Sequence, residues 1–186
     1  AKEEEGMSKR QIVALQTQRG AIRLSQVEID ANPDDSLGGV SFRHLSMLAQ
    51  IKSSDEDVWV SLRKSGHIEG KPTRSLKERL VRMRSWIEGS HFPEDSRIEI
   101  LEEIGDEALS NLSKSSVSFL VQLSVLLSNC EWSEEGIGGA ITDSCEAAGI
   151  TRSEGFSSIY WALIGRENGP KASSLISEIE RASVVK

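Results

Sequence analysis

The spacing of apolar residues predicts a chain made almost entirely of helices. In most segments apolar side chains recur every three or four residues, which places them on one face of an α-helix. Only residues 22–29 alternate apolar and polar positions, as a short extended segment near the N-terminus would. The fold class is therefore all-α. The predicted helices are residues 3–18, 42–51, 55–63, Thr73 or Ser75 to 88, 98–104, 108–112, Ser115 or Ser116 to 130, 134–148, 151–164 and 171–182.

Residues typical of helix ends support these boundaries. Ser41 is placed to cap the helix that starts at residue 42, and Thr151 to Glu154 has the pattern of a capping box. Gly149 and Gly165 can supply the left-handed residue that ends a helix. The apolar residues expected to face inward include Phe42, Leu45, Leu48 and Ala49; Leu76, Leu80, Met83, Trp86 and Ile87; and Val117, Leu120, Val121, Leu123, Val125 and Leu127.

The best internal boundary is the segment 89–96, which contains Pro93 and precedes a Ser-rich stretch. We therefore predict two domains. Residues 1–92 form a helical connecting subdomain that carries a basic helix. Residues 93–186 form a second helical domain.

Charge adds a candidate binding surface. The chain has a net charge of −7, which argues against indiscriminate nucleic-acid binding. Between Arg63 and Arg84, however, eight Lys or Arg residues accompany only two acids. This block is either a solvated helix face or a set of phosphate contacts. The candidate phosphate-binding residues are Arg74, Lys77, Arg79, Arg82 and Arg84.

A second candidate lies where the helix containing Tyr160 ends. Gly165 stops that helix, and Gly169-Pro170 leads into the next one. Arg166 and Lys171 flank the turn, so an aromatic ring and two cations surround a fixed backbone. Such a group can hold single-stranded nucleic acid. The alternative is a plain helical corner with Tyr160 in the core.

Motifs for a self-contained active site are absent. His44, His67 and His91 are scattered along the chain, with no zinc-ligand spacing, and no nucleophile elbow or Walker A loop occurs. We therefore predict no catalytic residue and no metal site. Cys130 and Cys145 are interpreted as reduced thiols of a cytoplasmic protein, although a disulfide between them is possible.

The ends of the sequence and its apolar runs bear on its context. No run is long enough to span a membrane, and there is no signal peptide pattern. Residue 1 is Ala and not Met, so we expect an excerpt of a longer chain. The motif Gly6-Met7-Ser8-Lys9-Arg10 is similar to an ATP-binding loop of class I aminoacyl-tRNA synthetases. It lies in a helical pattern without the partner motifs, so we do not interpret it as an ATP site.

Two longer stretches carry a more specific resemblance. The sequence Ser-Phe-Arg-His-Leu-Ser-Met-Leu-Ala-Gln-Ile at 41–51 resembles a PFRHLVxLxQI segment of class I lysyl-tRNA synthetases. The sequence Ile-Tyr-Trp-Ala-Leu-Ile-Gly-Arg-Glu-Asn-Gly-Pro-Lys at 159–171 resembles their YxxLLGRERGPR segment near the C-terminus. Residues 79–86 are also similar to the RxxRxxxW helix of that family. The order and separation agree over nearly the whole chain.

The resemblance implies the C-terminal helical part of such an enzyme, with residues 93–186 as an α-helix cage that binds the anticodon. The parent family uses ATP to attach lysine to its tRNA. The implied partners are a lysine-accepting tRNA and the catalytic domain of the same chain. The fragment itself would hold no cofactor, would be inactive, and is expected to be a cytoplasmic monomer without membrane contact. The implied anticodon contacts, taken with the two cations of the turn, are Ser157, Tyr160, Arg166, Gly169, Pro170, Lys171 and Ala172.

A second function class competes with this interpretation. The chain could be a helical protein-interaction domain without catalytic or RNA-binding activity. The acidic net charge favours that alternative, whereas the basic block and the Gly-Pro turn favour tRNA binding.

Overall fold

A computed structural model describes residues 39–185, and every regular element in that range is helical. This confirms the all-α class. The α-helices are α1 (Phe42–Ile51), α2 (Asp55–Lys64), α3 (Arg74–Glu88), α4 (Asp106–Asn111), α5 (Lys114–Asn129), α6 (Glu134–Ala148), α7 (Arg152–Ile164), α8 (Ala172–Ser177) and α9 (Arg181–Val184), with a 3₁₀ turn at Glu94–Ser96. The predicted helix 3–18, the motif at 6–10 and the extended segment 22–29 lie outside the described residues.

Side-chain caps set most of the helix starts. The hydroxyl oxygens of Ser41 and Thr73 accept hydrogen bonds from the backbone N–H three residues later, which satisfies a donor that the helix leaves free. At α7, Thr151 and Glu154 form the predicted capping box. Gly149 and Gly165 adopt left-handed φ values of 64° and 65° and end α6 and α7 as predicted.

Residues 98–104 are not helical, so the prediction for this segment is wrong. Its backbone donors bind other parts of the fold instead of one another. The N–H of Ile98 donates to the Gln50 side chain at 2.8 Å, and the N–H of Leu101 donates to the Leu163 carbonyl at 2.9 Å. The segment therefore runs as an irregular strap that joins α1 to α7.

The last predicted helix is also wrong in its extent, because α8 ends at Ser177 and a separate turn of helix follows. Glu178, the residue that follows α8, keeps helical backbone angles but contacts distant residues. Its carbonyl and carboxylate both accept from Lys52 Nζ, at 2.8 and 3.0 Å, and its carboxylate also accepts from the Ser61 hydroxyl at 2.5 Å. These contacts fasten the end of α8 to α2 and to the residue after α1.

Two buried apolar clusters lie within the compact unit Leu37–Lys186. The first is formed mainly by α1, α2 and α3, and the second mainly by α5 and α6. Helices α7 and α8 contribute to both: Ile164 and Leu175 join the first cluster, whereas Ile159 and Ile176 join the second. The predicted domain boundary at residue 92 stays a prediction.

Several residues expected to face inward do not. Phe42 is 53% exposed and Trp86 is 38% exposed. On α5 the buried side chains are Phe119, Leu123 and Leu127, whereas Val117, Val121 and Val125 are exposed. These two stripes start two residues apart, which is about 200° around a helix, so packing one of them turns the other to solvent.

Among the helices of residues 39–185, none has the length and apolar composition needed to cross a lipid bilayer.

Candidate nucleic-acid interface

The turn after α7 is fixed by Tyr160. The hydroxyl of Tyr160 donates to the carbonyl oxygen of Pro170 at 2.5 Å, and its ring packs against Gly169. A Cβ added at Gly169 would lie 2.7 Å from the Tyr160 ring and 2.9 Å from Ile164 Cδ1, so only glycine fits there. The turn is therefore held by a side chain ten residues earlier. Burial raises the pKa of the Tyr160 hydroxyl, which stays a donor at neutral pH.

A small cavity of about 280 Å³ opens beside this turn. It is lined by Ser153, Phe156, Ser157, Tyr160, Glu167, Asn168 and Gly169. Phe156 is 37% exposed and lies one helical turn before Tyr160, so the two rings share a face of α7. Sequence reasoning missed Phe156, although its spacing of four residues from Tyr160 is the signal that could have found it.

The two cations of the turn are already engaged. The guanidinium of Arg166 donates to the backbone carbonyl of Asp95. Lys171 Nζ forms an ion pair with Glu134 at 2.6 Å. Both therefore hold the turn against neighbouring elements, and Lys171 remains exposed enough to face an approaching phosphate as well.

The remaining predicted contacts differ in exposure. Ser157 is half-buried and lines the small cavity, and Gly169 is exposed. Ala172 is buried in the second apolar cluster, so its side chain faces the core and not solvent.

A larger groove of about 760 Å³ adjoins the same turn and shares Asn168 and Gly169 with the small cavity. One wall is formed by Asn168, Gly169, Pro170 and Lys171. Another wall is aromatic: the rings of Phe42 and Trp86 lie 5.6 Å apart, and Trp86 meets Phe92 edge-on at 4.7 Å. The outward position of Phe42 and Trp86, which the sequence pattern did not predict, is what creates this wall.

Two of the histidines that looked scattered are stacked in this groove. The rings of His44 and His67 are nearly parallel, with centroids 4.9 Å apart, and both line the groove. His67 Nδ1 lies 2.8 Å from the Ser65 hydroxyl, whereas the buried Nε2 of His44 has no hydrogen-bond partner. Burial and the neighbouring His67 lower the pKa of His44 below its ordinary value.

The stacked pair predicts a loss of stability in mild acid. The carboxylates of Glu178 and Glu134 favour protonated His44 and Lys171 opposes it, but burial dominates. The unfolded chain therefore binds a proton at His44 near pH 6.5, whereas the folded chain binds it only at lower pH. Below about pH 6.5 the unfolded chain therefore binds more protons than the folded chain. The free energy of unfolding consequently falls as pH falls from about 7 towards 5.

Urea unfolding at several pH values measures this effect. We expect His44→Gln to flatten the pH dependence between about pH 7 and 5. The control is His91→Gln at an exposed site, which should follow the parent curve. Parallel curves for all three proteins would contradict the assignment to His44.

The basic block divides into engaged and free cations. Arg84 pairs with Asp55 at 2.8 Å and donates to the carbonyls of Ala49 and Lys52, so it ties α3 to the α1–α2 connection. The remaining basic residues of α3 are Arg74 and Arg82, which both pair with Glu78; Arg79, which is half-buried; and Lys77, which is exposed and has no ion pair within residues 39–185. Lys77 is therefore the cation of α3 best placed to take up a phosphate.

The thiols and the acidic groups offer no further chemistry in the described range. Cys130 and Cys145 are both free, and burial raises the pKa of Cys145. A Cβ added at Gly155 would lie 2.5 Å from Cys145 Sγ, so this thiol serves the close packing of α6 against α7. Within residues 39–185 no three His, Cys, Asp or Glu side chains cluster as a metal site.

Comparison with known proteins gives a consistent set of relatives. No protein-family model matches the chain. It is 26% identical to the lysine–tRNA ligase of Pyrococcus horikoshii over 88% of this chain and 32% of the relative. The corresponding figures are 25%, 89% and 31% for the lysine–tRNA ligase of Methanopyrus kandleri, and 28%, 75% and 28% for that of Archaeoglobus fulgidus. The chain thus spans about a third of the length of the curated relatives it matches.

Proposed function

We propose that this chain is the tRNA-binding C-terminal part of a class I lysine–tRNA ligase and that it binds the anticodon region. The similarity to proteins named lysine–tRNA ligase supports the choice of RNA, and the match to a third of their length fits a part of a larger enzyme. The observation that carries the binding role is the cavity beside the fixed turn, where Phe156 and Tyr160 present aromatic surface next to Asn168 and bare backbone at Gly169. Unpaired bases are read by aromatic stacking and by hydrogen bonds to their edges.

The proposal extends to the parent enzyme. Its catalytic domain would be the chain's other partner, and ATP its cofactor, used there to activate lysine. We propose that the protein acts in the cytoplasm as a monomer.

A protein-interaction domain is the alternative function. The exposed stripe of Val117, Val121 and Val125 on α5 and the net charge of −7 favour it. An electrophoretic mobility shift with a lysine-accepting tRNA, at low and moderate salt, decides between the two. Tighter binding of the lysine-accepting tRNA than of the same tRNA with a replaced anticodon loop supports the proposal. Equal affinity for both RNAs, or none for either, contradicts it.

Lys77, the exposed cation of α3 without an ion pair within residues 39–185, predicts a change in salt dependence. Lys77→Gln should weaken binding to both RNAs alike and lower the slope of log affinity against log salt by roughly 0.7 to 0.9, because one phosphate contact is lost. Arg84 is unsuitable for this test, since it holds α3 to the α1–α2 connection. The matched control is Lys114→Gln on α5, outside the block. An unchanged slope in Lys77→Gln would mean that Lys77 contacts no phosphate and that the block is a solvated helix face.

Catalysis is expected to be absent from the chain by itself. The sequence carries no complete set of motifs for ATP binding, and within residues 39–185 no three His, Cys, Asp or Glu side chains could hold a metal ion. Lysine-dependent exchange between ATP and pyrophosphate should therefore remain at background. Exchange that grows in proportion to the purified chain would contradict this.

A further inference from the structure

The larger groove has the features of a binding site, and its aromatic residues Phe42 and Trp86 are not among the anticodon contacts proposed above. Its volume of about 760 Å³ falls within the range of ligand-binding clefts. Phe42 and Trp86 stay exposed on its wall although both are large apolar side chains. Because such rings are normally buried, their outward position is an informative feature.

We infer that this groove binds a second unpaired nucleotide of the same RNA, with its base against the Phe42–Trp86 wall. The inference rests on the proposed function and adds a second subsite to it. Every base has a flat π-face, so stacking on such a wall does not require a particular base.

The position of the groove relative to the small cavity favours two neighbouring nucleotides. Both spaces are lined by Asn168 and Gly169, so they adjoin the same turn of backbone. One base can occupy the cavity beside Tyr160 while the adjoining base lies across the turn. The hydrogen bond from Tyr160 to Pro170 holds this partition in place.

The charges around the groove favour a base inside and a phosphate at its rim. Asp95 and Glu134 line the groove, and their negative charges would repel a phosphate. Arg166 and Lys171 also line it, but they are already bonded to the Asp95 carbonyl and to Glu134. Burial opposes the charge on Glu134, but hydrogen bonds from Lys171 and Ser174 outweigh this and lower the pKa of its carboxyl. Arg43 is exposed at the groove and has no ion pair within residues 39–185, so it is available to a phosphate.

Asp95 and Asn168 give the interior its hydrogen-bonding capacity. Within residues 39–185 the Asp95 carboxylate has only a long contact of 3.4 Å from the Ser96 hydroxyl, and the Asn168 amide is exposed. A carboxylate accepts hydrogen bonds and an amide both donates and accepts. A neutral base edge with N–H donors therefore matches this interior better than an anion does.

A double-mutant cycle between protein and RNA tests the second subsite. The probe is an RNA hairpin that carries the lysine anticodon loop, together with versions in which single loop nucleotides lack their base. We expect Phe42→Ala to weaken binding of the complete hairpin roughly 5- to 150-fold, the effect of losing one stacked base. On the hairpin that lacks the base lying in the groove, the same substitution should change affinity less than about twofold.

Two further variants separate stacking from folding. Phe42→Leu keeps an apolar side chain but removes the π-face, so it should reproduce most of the loss without lowering the melting temperature. Val121→Ala truncates an exposed apolar side chain on α5 and should leave affinity unchanged. Binding of the complete hairpin should also quench the fluorescence of Trp86, and that quench should disappear in Trp86→Phe.

The outcomes distinguish failure of the subsite from failure of the proposed function. If the unsubstituted chain binds the hairpin, and Phe156→Ala weakens this binding but Phe42→Ala and Phe42→Leu do not, the groove is not a base subsite. Failure of the unsubstituted chain to bind the hairpin overturns both proposals. If Phe42→Ala weakens all hairpins equally, including each base-free version, the groove holds no base and the inference fails.

Discussion

Leu80→Ala is expected to lower the free energy of unfolding by about 2–5 kcal/mol. Leu80 on α3 is fully buried in the first apolar cluster, and truncating it removes both its burial and the atoms that fill the space. Leu120→Ala on α5 is expected to cost clearly less, because Leu120 is only partly buried at the edge of the second cluster. The sequence pattern alone predicted that both leucines face inward and therefore the same loss of stability for both.

Urea or guanidinium unfolding, monitored by helical circular dichroism, measures both substitutions. Val121→Ala is the matched control on α5, since it removes apolar atoms from an exposed position and should change stability by less than about 0.5 kcal/mol. Losses of equal size at Leu80 and Leu120 would contradict the assignment of buried and half-buried positions. A loss near zero at Leu80 would contradict the first cluster itself.

Helix ends were the most predictable part of the fold because their signals are local. The cap at Ser41 and the capping box at Thr151–Glu154 each join residues three positions apart, so both partners are visible within one short stretch. The left-handed glycine at Gly165 is equally local, because only its own conformation is involved. The capping box and Gly165 therefore predicted the start and the end of α7 correctly.

Elements stabilised by distant partners were not predictable in this way. Residues 98–104 carry Ile and Leu side chains three or four positions apart, yet the N–H of Ile98 binds the side chain of Gln50, which is 48 residues away. On α5 the Val stripe and the Phe119 stripe both have helical spacing, and only the packing against α6 and α7 decides which one is buried. A one-dimensional pattern contains neither piece of information.

In the candidate site, too, local features were predictable from the sequence and contacts between distant residues were not. The sequence placed Tyr160 near the Gly169-Pro170 turn, because both belong to one helix–turn–helix segment. It did not reveal the stacking of His44 on His67, since these residues are 23 positions apart and meet only when the loop after α2 folds back. It also left Tyr160 with two alternatives, a core ring or a base-stacking ring, and the structure places it between the two apolar clusters with one side lining the cavity.

Tyr160→Ala is expected to cost about 1–3 kcal/mol in binding of the lysine anticodon loop and also to lower the melting temperature. The binding loss comes from the missing aromatic surface and from release of the turn at Gly169 and Pro170. The stability loss follows because the ring packs against both apolar clusters. Binding to a tRNA with a replaced anticodon loop should change little as long as the mutant stays folded, since phosphate contacts position the RNA and base contacts specify it.

Tyr160→Phe and Phe156→Ala resolve the two contributions. Tyr160→Phe keeps the ring but removes the donor to the Pro170 carbonyl, so it should cost about 0.5–1.5 kcal/mol of stability and a smaller part of the selective affinity. Phe156→Ala removes an exposed ring from the same cavity and should weaken binding of the lysine loop with little change in melting temperature. Measuring melting temperature beside affinity for both tRNAs gives the answer. If all three variants lose affinity for the two tRNAs equally, or only in proportion to lost stability, the rings around the turn do not read a base.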